Sequence, residues 1–168
     1  DRIVVMKDGF VQQVDNPQAL YDNPCNVFVA GFIGTPQMNF IDATLIEKDG
    51  KVCVTFGNYT LPLPASKADN PAVREAIGKT VIMGVRPENI NDDEMHLSMN
   101  PEYVVDATVD VAELMGSETY LYLTTEGVPL VARVAARSKA RPGAAISVAI
   151  DLNRIHLFDK ETEKVITN

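Results

Sequence analysis

The sequence lacks several features that mark common protein classes. It has no tryptophan, only two cysteines and no apolar run longer than the eight residues 27–34. A membrane-spanning helix needs about 20 apolar residues, so no part of the chain is expected to cross a membrane. Cys25 and Cys53 lie far apart and share no metal-ligand spacing with His96 or His156. The sequence therefore indicates neither a zinc site nor a disulfide framework, and it favours a reducing compartment.

Positive charge is also scarce. The chain has 15 Lys and Arg residues against 23 Asp and Glu residues, a formal net charge of −8. Such a surface repels a phosphate backbone unless its basic residues cluster. The densest basic group lies partly in a predicted loop and consists of Arg133, Arg137, Lys139 and Arg141. Aromatic residues, on which nucleic-acid-binding barrels stack bases, make up only 7% of the chain, so we predict no nucleic-acid partner.

The chain is long and apolar enough to fold as a globular unit, with 168 residues of which 46% are hydrophobic. It begins without a methionine and its first residues already alternate as in a strand, which fits a piece of a longer protein. Residues 3–7 and 10–14 are predicted to form strands around Asp8 and Gly9, a dipeptide typical of tight turns. The N-terminus is therefore expected to carry a β-hairpin.

Two short helices are predicted after this hairpin. Residues 16–17, Asn-Pro, match an N-cap followed by proline at the first helical position, and the Asn-Pro pair at 23–24 ends this helix. The second helix is expected at about residues 26–32, before the glycine and proline of 34–36 stop it. Its predicted buried residues are Val27, Phe28, Ile33 or their neighbours.

From residue 40 onward the sequence consists of short β-like runs separated by turns. The predicted strands are residues 40–47, 51–56, 59–64, 80–85, 103–114, 119–124, 128–135, 145–151 and 155–158. Strands at this spacing favour a small barrel or sandwich, so the predicted fold class is mainly β. One helix is expected at 71–77 between Asn70 and Gly78, and the long run 102–114 before Gly116 indicates a sharply bent strand.

No motif in the chain supports catalysis. The GKT sequence at 78–80 is the ending of a phosphate-binding loop, but the earlier glycine of such a loop falls at Val73, and the predicted order is helix then strand. His96 and His156 stand between apolar neighbours without a nucleophile or paired carboxylate close in sequence. We therefore assign no catalytic, cofactor-binding or metal-binding residue, and we expect a helix-to-strand turn at GKT.

Two turn segments could serve binding or only structure. In residues 84–88, GVRPE, Arg86 and Glu88 could pair across a turn fixed by proline or hold an acidic partner. In residues 113–119, ELMGSET, the small residues could form a backbone nest for an anion. The residues alone favour a structural turn with a surface ion pair in the first segment, and a tight barrel corner in the second.

Five segments, in this order, carry a resemblance to one protein family: residues 3–14, 17–40, 84–90, 112–123 and 156–166. The last three read GVRPENI, AELMGSETYLYL and HLFDKETEKVI. The chain resembles the C-terminal regulatory, TOBE-like domain of carbohydrate-importing ABC transporter ATP-binding proteins, the group of the maltose and multiple-sugar importer ATPases. The resemblance extends over essentially the whole chain.

This resemblance implies an OB-fold-like β-barrel regulatory domain at residues 35–168, preceded at 1–34 by a short α+β remnant of the ABC nucleotide-binding domain. The parent protein is then expected to hydrolyse ATP with Mg at the cytoplasmic face of the cell membrane, as a homodimer bound to membrane-spanning subunits. The chain itself is expected to be no enzyme, because nothing in it matches the phosphate loop, signature motif or switch His. Residues 1–14 are expected to be disordered, an isolated hairpin or paired with another copy, and not an integral barrel strand.

The resemblance also implies two sets of interaction residues. The seam between the two parts would consist of Phe28, Phe32, Met38, Asn39 and Phe40. The candidate surface for a second copy or a regulatory protein would consist of Gly84, Arg86, Pro87, Glu88, Glu113, Gly116, Ser117, Glu118 and Thr119. Sugar is the implied cargo, although an importer of glycerol phosphate or polyamine would carry a similar domain. The alternative function is an oxyanion- or metabolite-sensing domain of an ABC ATPase for another substrate.

Overall fold

The computed structural model describes all 168 residues, and the predicted mainly β class is confirmed. The N-terminal hairpin is a sheet of its own, made of β1 (Ile3–Lys7) and β2 (Phe10–Asp15). Asp8 and Gly9 adopt φ values of 51° and 82° in its turn, the left-handed region that Asp-Gly turns use. The hairpin shares no ladder with the larger sheets, which is the second of the arrangements expected for residues 1–14.

Both predicted N-terminal helices are present as α1 (Pro17–Asp22) and α2 (Val27–Phe32). The side-chain oxygens of Asn16 and Asn26 each accept a hydrogen bond from the backbone N–H three residues later, at 2.8 and 2.9 Å. These bonds satisfy N–H groups that have no partner within the helix. The asparagine caps therefore place both helix starts where the sequence predicts them.

The fully buried residues of α2 are neighbours of the three residues that the prediction names. Val29 and Ala30 are the fully buried residues of this helix. Val29 packs against the hairpin and α1, whereas Ala30 packs against the barrel, so α2 is covered from two sides. The residues expected to be buried are only half-buried, namely Val27, Phe28 and Ile33.

The rest of the chain forms eleven strands and three short helices. The strands are β3 (Asn39–Lys48), β4 (Lys51–Phe56), β5 (Tyr59–Pro62), β6 (Thr80–Val85), β7 (Ile90–Asn91), β8 (Val104–Leu114), β9 (Glu118–Thr125), β10 (Val128–Ala135), β11 (Ala145–Ile150), β12 (His156–Asp159) and β13 (Val165–Thr167). The helices are α3 (Ala65–Ala68), α4 (Pro71–Glu75) and α5 (Glu94–Met99). A 3-10 turn at Pro87–Asn89 joins β6 to β7.

Two antiparallel sheets enclose one hydrophobic core. The first has the strand order β13-β12-β6-β3-β4-β5 and the second the order β10-β9-β8-β11-β7. Buried residues from both sheets form a single cluster of 30 side chains, including Leu45, Leu121 and Ile150. Alternate residues of strands such as β3, β9 and β10 are buried in this cluster, as period-2 patterning requires, whereas β6 is buried on both faces. The sheets together make a nearly closed, barrel-like structure, consistent with an OB-fold domain.

Most predicted turns lie where expected. Gly78 has a φ of 87° and its N–H donates to the Leu45 carbonyl, so GKT is the expected turn from α4 into β6. The bend predicted in 102–114 is a bulge, because the register of β8 against β9 shifts between Val109 and Val111. The sequence prediction did not include β7, β13, α3 and α5.

Candidate interaction sites

Arg86, the central residue of the GVRPE segment, lies inside the chain. Only 2% of it is exposed. Its Nη1 donates to the Ile33 carbonyl at 2.8 Å, and its Nη2 donates to the Tyr21 carbonyl at 2.5 Å. The guanidinium carbon lies 3.7 Å from the centre of the Tyr21 ring. Arg86 therefore ties the C-terminal ends of α1 and α2 to the end of β6.

The expected ion pair between Arg86 and Glu88 is wrong, because the guanidinium binds the Ile33 and Tyr21 carbonyls and only 2% of Arg86 is exposed. Helix C-termini leave carbonyls without partners and carry partial negative charge, which attracts a cation. Neither α1 nor α2 has a basic residue in its last turn. Burial lowers the pKa of Arg86 to about 10, an effect that Asp22 opposes, so the guanidinium stays charged at neutral pH.

Other residues of the GVRPE segment are also internal. Gly84 and Pro87 are buried, and Glu88 is half-buried. A Cβ atom on Gly84 would lie 2.5 Å from the Met38 Sδ atom and 3.0 Å from the Phe158 ring, closer than packed atoms approach. Glycine is therefore required here by the close contact of β6 with its neighbours. The structural turn is therefore present, and a role of this segment in binding a second copy or a regulator stays a prediction.

Three of the predicted seam residues, Met38, Phe40 and Phe28, lie in or beside the contact between α2 and the barrel. Met38 is buried in a cluster with Ala30 of α2, and Phe40 packs against the same cluster. Phe28 stacks on Phe32 with ring centroids 5.7 Å apart. Phe32 itself is 66% exposed and contributes little to this contact. The seam of the whole protein stays a prediction, but α2 meets the barrel at Met38 and Phe40.

Asn39 has a different role, since its side chain joins the two barrel sheets. Its Nδ2 donates to the carbonyls of Val85 and Val131 at 3.0 and 2.9 Å. Its Oδ1 accepts from the Val131 N–H at 2.7 Å. Val85 belongs to β6 and Val131 to β10, which lie in different sheets. No local pattern predicts this contact, because its partners are 46 and 92 residues away.

The ELMGSET segment, in contrast, is largely exposed. It forms the turn between β8 and β9, closed by a hydrogen bond of 2.7 Å from the Met115 N–H to the Glu118 carbonyl. Gly116 adopts a φ of 75° in this turn, which confirms the tight corner. Val111, Leu114 and Met115 are exposed by 46%, 69% and 53%. We call residues 111–119 the β8–β9 tip.

The polar residues of the β8–β9 tip differ in exposure. Glu113, Gly116 and Ser117 are exposed, Glu118 is half-buried, and Thr119 is buried. Glu118 lies 3.6 Å from the Arg133 Nε. Because the GVRPE residues lie mostly inside, the structure does not bring the nine predicted surface residues together in one exposed patch.

A polar pocket lies beside Arg86, between α1 and the C-terminal strands. Lys67 and His156 are each 5% exposed. The Nδ1 atom of His156 lies 2.9 Å from the Oδ1 of Asn168, and Lys67 donates to the Asn168 carbonyl. Arg154 also lines this pocket. The sequence prediction left His156 as a packed or a surface residue; the structure shows that it is packed, and the sequence prediction did not identify the pocket.

Burial lowers the pKa of His156 to about 4, and the nearby positive charges of Arg86 and Lys67 lower it further, while Asn168 and Asp22 oppose them. Unfolded histidine titrates near 6.5, so the unfolded chain binds a proton that the folded chain excludes as the pH falls through this window. The free energy of unfolding is therefore expected to fall by about 3 kcal/mol between pH 6.5 and 4 through this residue alone.

Urea unfolding at several pH values checks this expectation. The His156→Gln variant should lose this part of the pH dependence, whereas His96→Gln, which changes a partly exposed histidine on α5, should keep it. Equal slopes for wild type and His156→Gln between pH 6.5 and 4 would contradict the assignment.

Comparison with protein families places the chain in a class. Residues 34–90 match the MalK OB fold domain, and residues 83–158 match the TOBE domain. The two matches cover the barrel and meet in the segment that contains Arg86 and Pro87. The chain therefore belongs to the family of MalK-type OB-fold and TOBE domains, which confirms the resemblance drawn from its sequence.

Among curated proteins, the relatives are ABC transporter ATP-binding proteins. The chain is 41% identical to the trehalose/maltose import ATP-binding protein MalK of Thermococcus litoralis, covering 99% of the chain and 44% of the relative. It is 41% identical to the oligosaccharides import ATP-binding protein MsmX of Bacillus subtilis, covering 96% and 43%. It is 39% identical to the osmoprotective compounds uptake ATP-binding protein GgtA of Synechocystis, covering 99% and 44%. The chain thus spans less than half the length of these relatives.

Among solved structures, the chain is similar to the cytoplasmic molybdate-binding protein ModG. The TM-score is 0.53 at 19% sequence identity, and the match covers 74% of this chain and 96% of that one. A likeness at this identity supports a common fold only. None of the helices of this chain is long and apolar enough to traverse a bilayer.

Proposed function

We propose that the chain is the regulatory and dimerisation domain of the ATP-hydrolysing subunit of an ABC importer for sugars. The names of its relatives support this proposal, since MalK and MsmX are described as import proteins for trehalose, maltose and oligosaccharides. The parent protein would hydrolyse ATP with Mg at the cytoplasmic face of the membrane, together with membrane-spanning subunits. The barrel would hold two copies together while ATP closes the catalytic parts.

The observation that carries the dimerisation proposal is the exposed apolar surface of the β8–β9 tip. Leu114 and Met115 lie at the end of a long hairpin and extend into solvent, with exposed fractions of 69% and 53%. Exposed apolar residues at the end of a rigid element are typical of interaction surfaces. A second copy would cover them, and a specific dimer needs a total buried area of about 1,200–2,000 Å². Glu113 and Ser117 would form the polar rim of this surface.

Sedimentation equilibrium of the chain over a range of micromolar concentrations tests the proposal. We expect a dimer whose dissociation constant rises about tenfold or more in Leu114→Asp, because this variant places a charge in the apolar part of the interface. The matched control is Met95→Asp, which adds the same charge at an exposed apolar residue of α5. A monomeric wild type, or equal effects of both variants, would contradict a role of the β8–β9 tip in dimerisation.

A further inference from the structure

The polar pocket next to Arg86 concentrates positive charge in a chain that carries a net charge of −8. Its cavity measures about 260 Å³, which exceeds the space a single water needs. The charged side chains that line it are Lys67, Arg86, Arg154 and Asp22, so cations outnumber anions by three to one. The neutral lining residues supply further donors and acceptors and include Asn89, Asn153 and His156.

Arg86 carries an unused donor in this setting. Its Nε atom is buried and has no hydrogen-bond partner, although both terminal nitrogens bind helix carbonyls. A buried donor without a partner costs about 1–3 kcal/mol, so native structures rarely leave one unmatched. Arg86 lines the pocket, and an acceptor atom that reached Nε from there would match it. Arg86 is 2% exposed and is held in place by Tyr21, so its orientation does not have to change when a ligand binds.

Two further cations lie at different depths of the pocket. Lys67 is buried, and burial lowers the pKa of its ammonium group. Arg154 is exposed, and its Nε lies 3.8 Å from the Asp151 carboxylate, a loose contact that leaves most of its donors free. Arg86 and Lys67 would therefore donate hydrogen bonds to the buried side of a ligand, and Arg154 would contact its solvent side.

We propose that this pocket binds a phosphate group, either as inorganic phosphate or as the phosphate of a small phosphorylated sugar. A tetrahedral oxyanion offers several acceptor oxygens, whereas the pocket offers guanidinium and ammonium donors from three directions. This site is separate from the β8–β9 tip and does not depend on the dimerisation proposal. Ligand binding would strengthen the contact of α1 with the barrel, since Tyr21, Asp22 and Asn23 form one wall of the pocket.

Isothermal titration of the 168-residue chain at constant ionic strength tests the proposal with inorganic phosphate and glucose 6-phosphate, with glucose as the uncharged control. We expect saturable binding of at least one phosphate compound and none of glucose. Arg154→Gln should weaken binding about fivefold or more, because it removes a charged donor without touching the core. Arg74→Gln is the matched control, as Arg74 is exposed and lies outside the pocket.

The comparison of the two ligands identifies the source of the phosphate group. Tighter binding of glucose 6-phosphate assigns a phosphorylated sugar, and equal or tighter binding of inorganic phosphate assigns the free anion. Absence of binding by both up to about 10 mM, or equal affinities of the Arg154→Gln and Arg74→Gln variants, would overturn the proposal.

A second measurement reports from inside the pocket. His156 lines the pocket together with Arg86, Lys67 and Asp22, whose charges act on its imidazole. A bound anion favours the protonated imidazole, so saturating phosphate should raise the pKa of His156 above its value of about 4 in an NMR titration. An unchanged pKa at saturation would place the ligand elsewhere and overturn the site.

Discussion

Replacing Arg86 with methionine is expected to lower the free energy of unfolding by about 3 kcal/mol. The variant keeps an apolar side chain of similar length but leaves the carbonyls of Tyr21 and Ile33 without their charged donor, and each such bond contributes about 1.5–3 kcal/mol. Losing the contact of the guanidinium with the Tyr21 ring adds to the loss of stability. Part of the loss is offset, because the variant no longer has to bury a charge.

Urea unfolding and hydrogen exchange measure this effect. Because Arg86 connects α1 and α2 to the barrel, the amides of these helices should lose protection first, while those of β8 and β9 stay protected up to global unfolding. Arg74→Met is the control, since Arg74 forms only an exposed ion pair with Asp69 that contributes about 0–1 kcal/mol. Similar losses in both variants would mean that the buried contacts of Arg86 contribute no more than a surface ion pair.

The Phe158→Ala substitution is expected to cost about 3–5 kcal/mol, the largest effect among these predictions. Phe158 is fully buried and packs with Ala30 of α2, Met38 and Ile82, and its ring lies 6.2 Å from the Phe40 ring at 68°. Its removal leaves a cavity where α2 contacts the barrel. The neighbouring strands are held by their hydrogen bonds and cannot easily move to fill it. The loss should therefore exceed the transfer free energy of the ring alone.

Thermal and urea unfolding of Phe158→Ala should be compared with those of Phe10→Ala. Phe10 lies in the hairpin and is 74% exposed, so its truncation should change the free energy of unfolding by less than about 0.5 kcal/mol. A loss below about 1 kcal/mol in Phe158→Ala would show that the site collapses around the missing ring.

Local patterns explain why much of this fold could be predicted. Strands such as β3, β8, β9 and β10 follow period-2 alternation between turn residues, and the caps of α1 and α2 follow from Asn16 and Asn26. Strands such as β7 and β13 contain only two and three residues, too few to show a period. Their positions depend on pairing with β11 and β12, which no local signal contains.

The interaction residues were harder to predict because burial depends on distant parts of the chain. Arg86 and Lys67 have sequence neighbours typical of a surface, yet their partners lie 53 to 65 and 101 residues away. The β8–β9 tip was predicted as a corner because Gly116 marks it locally. The exposure of Leu114 and Met115 follows from the length of the hairpin, which carries them beyond the core.

The side-chain amide of Asn39 has a mechanical consequence. Tyr122 of the long hairpin pairs with Val131, Val131 exchanges hydrogen bonds with Asn39, and Asn39 bonds Val85, whose successor holds both N-terminal helices. Strand pairing, the hydrogen bonds of Asn39 and the Val85–Arg86 backbone thus connect the long hairpin across the barrel to the helices. Hydrogen bonds resist extension and bending more than apolar contacts resist sliding. A force on the long hairpin is therefore transmitted to the N-terminal helices mainly through the single side-chain amide of Asn39.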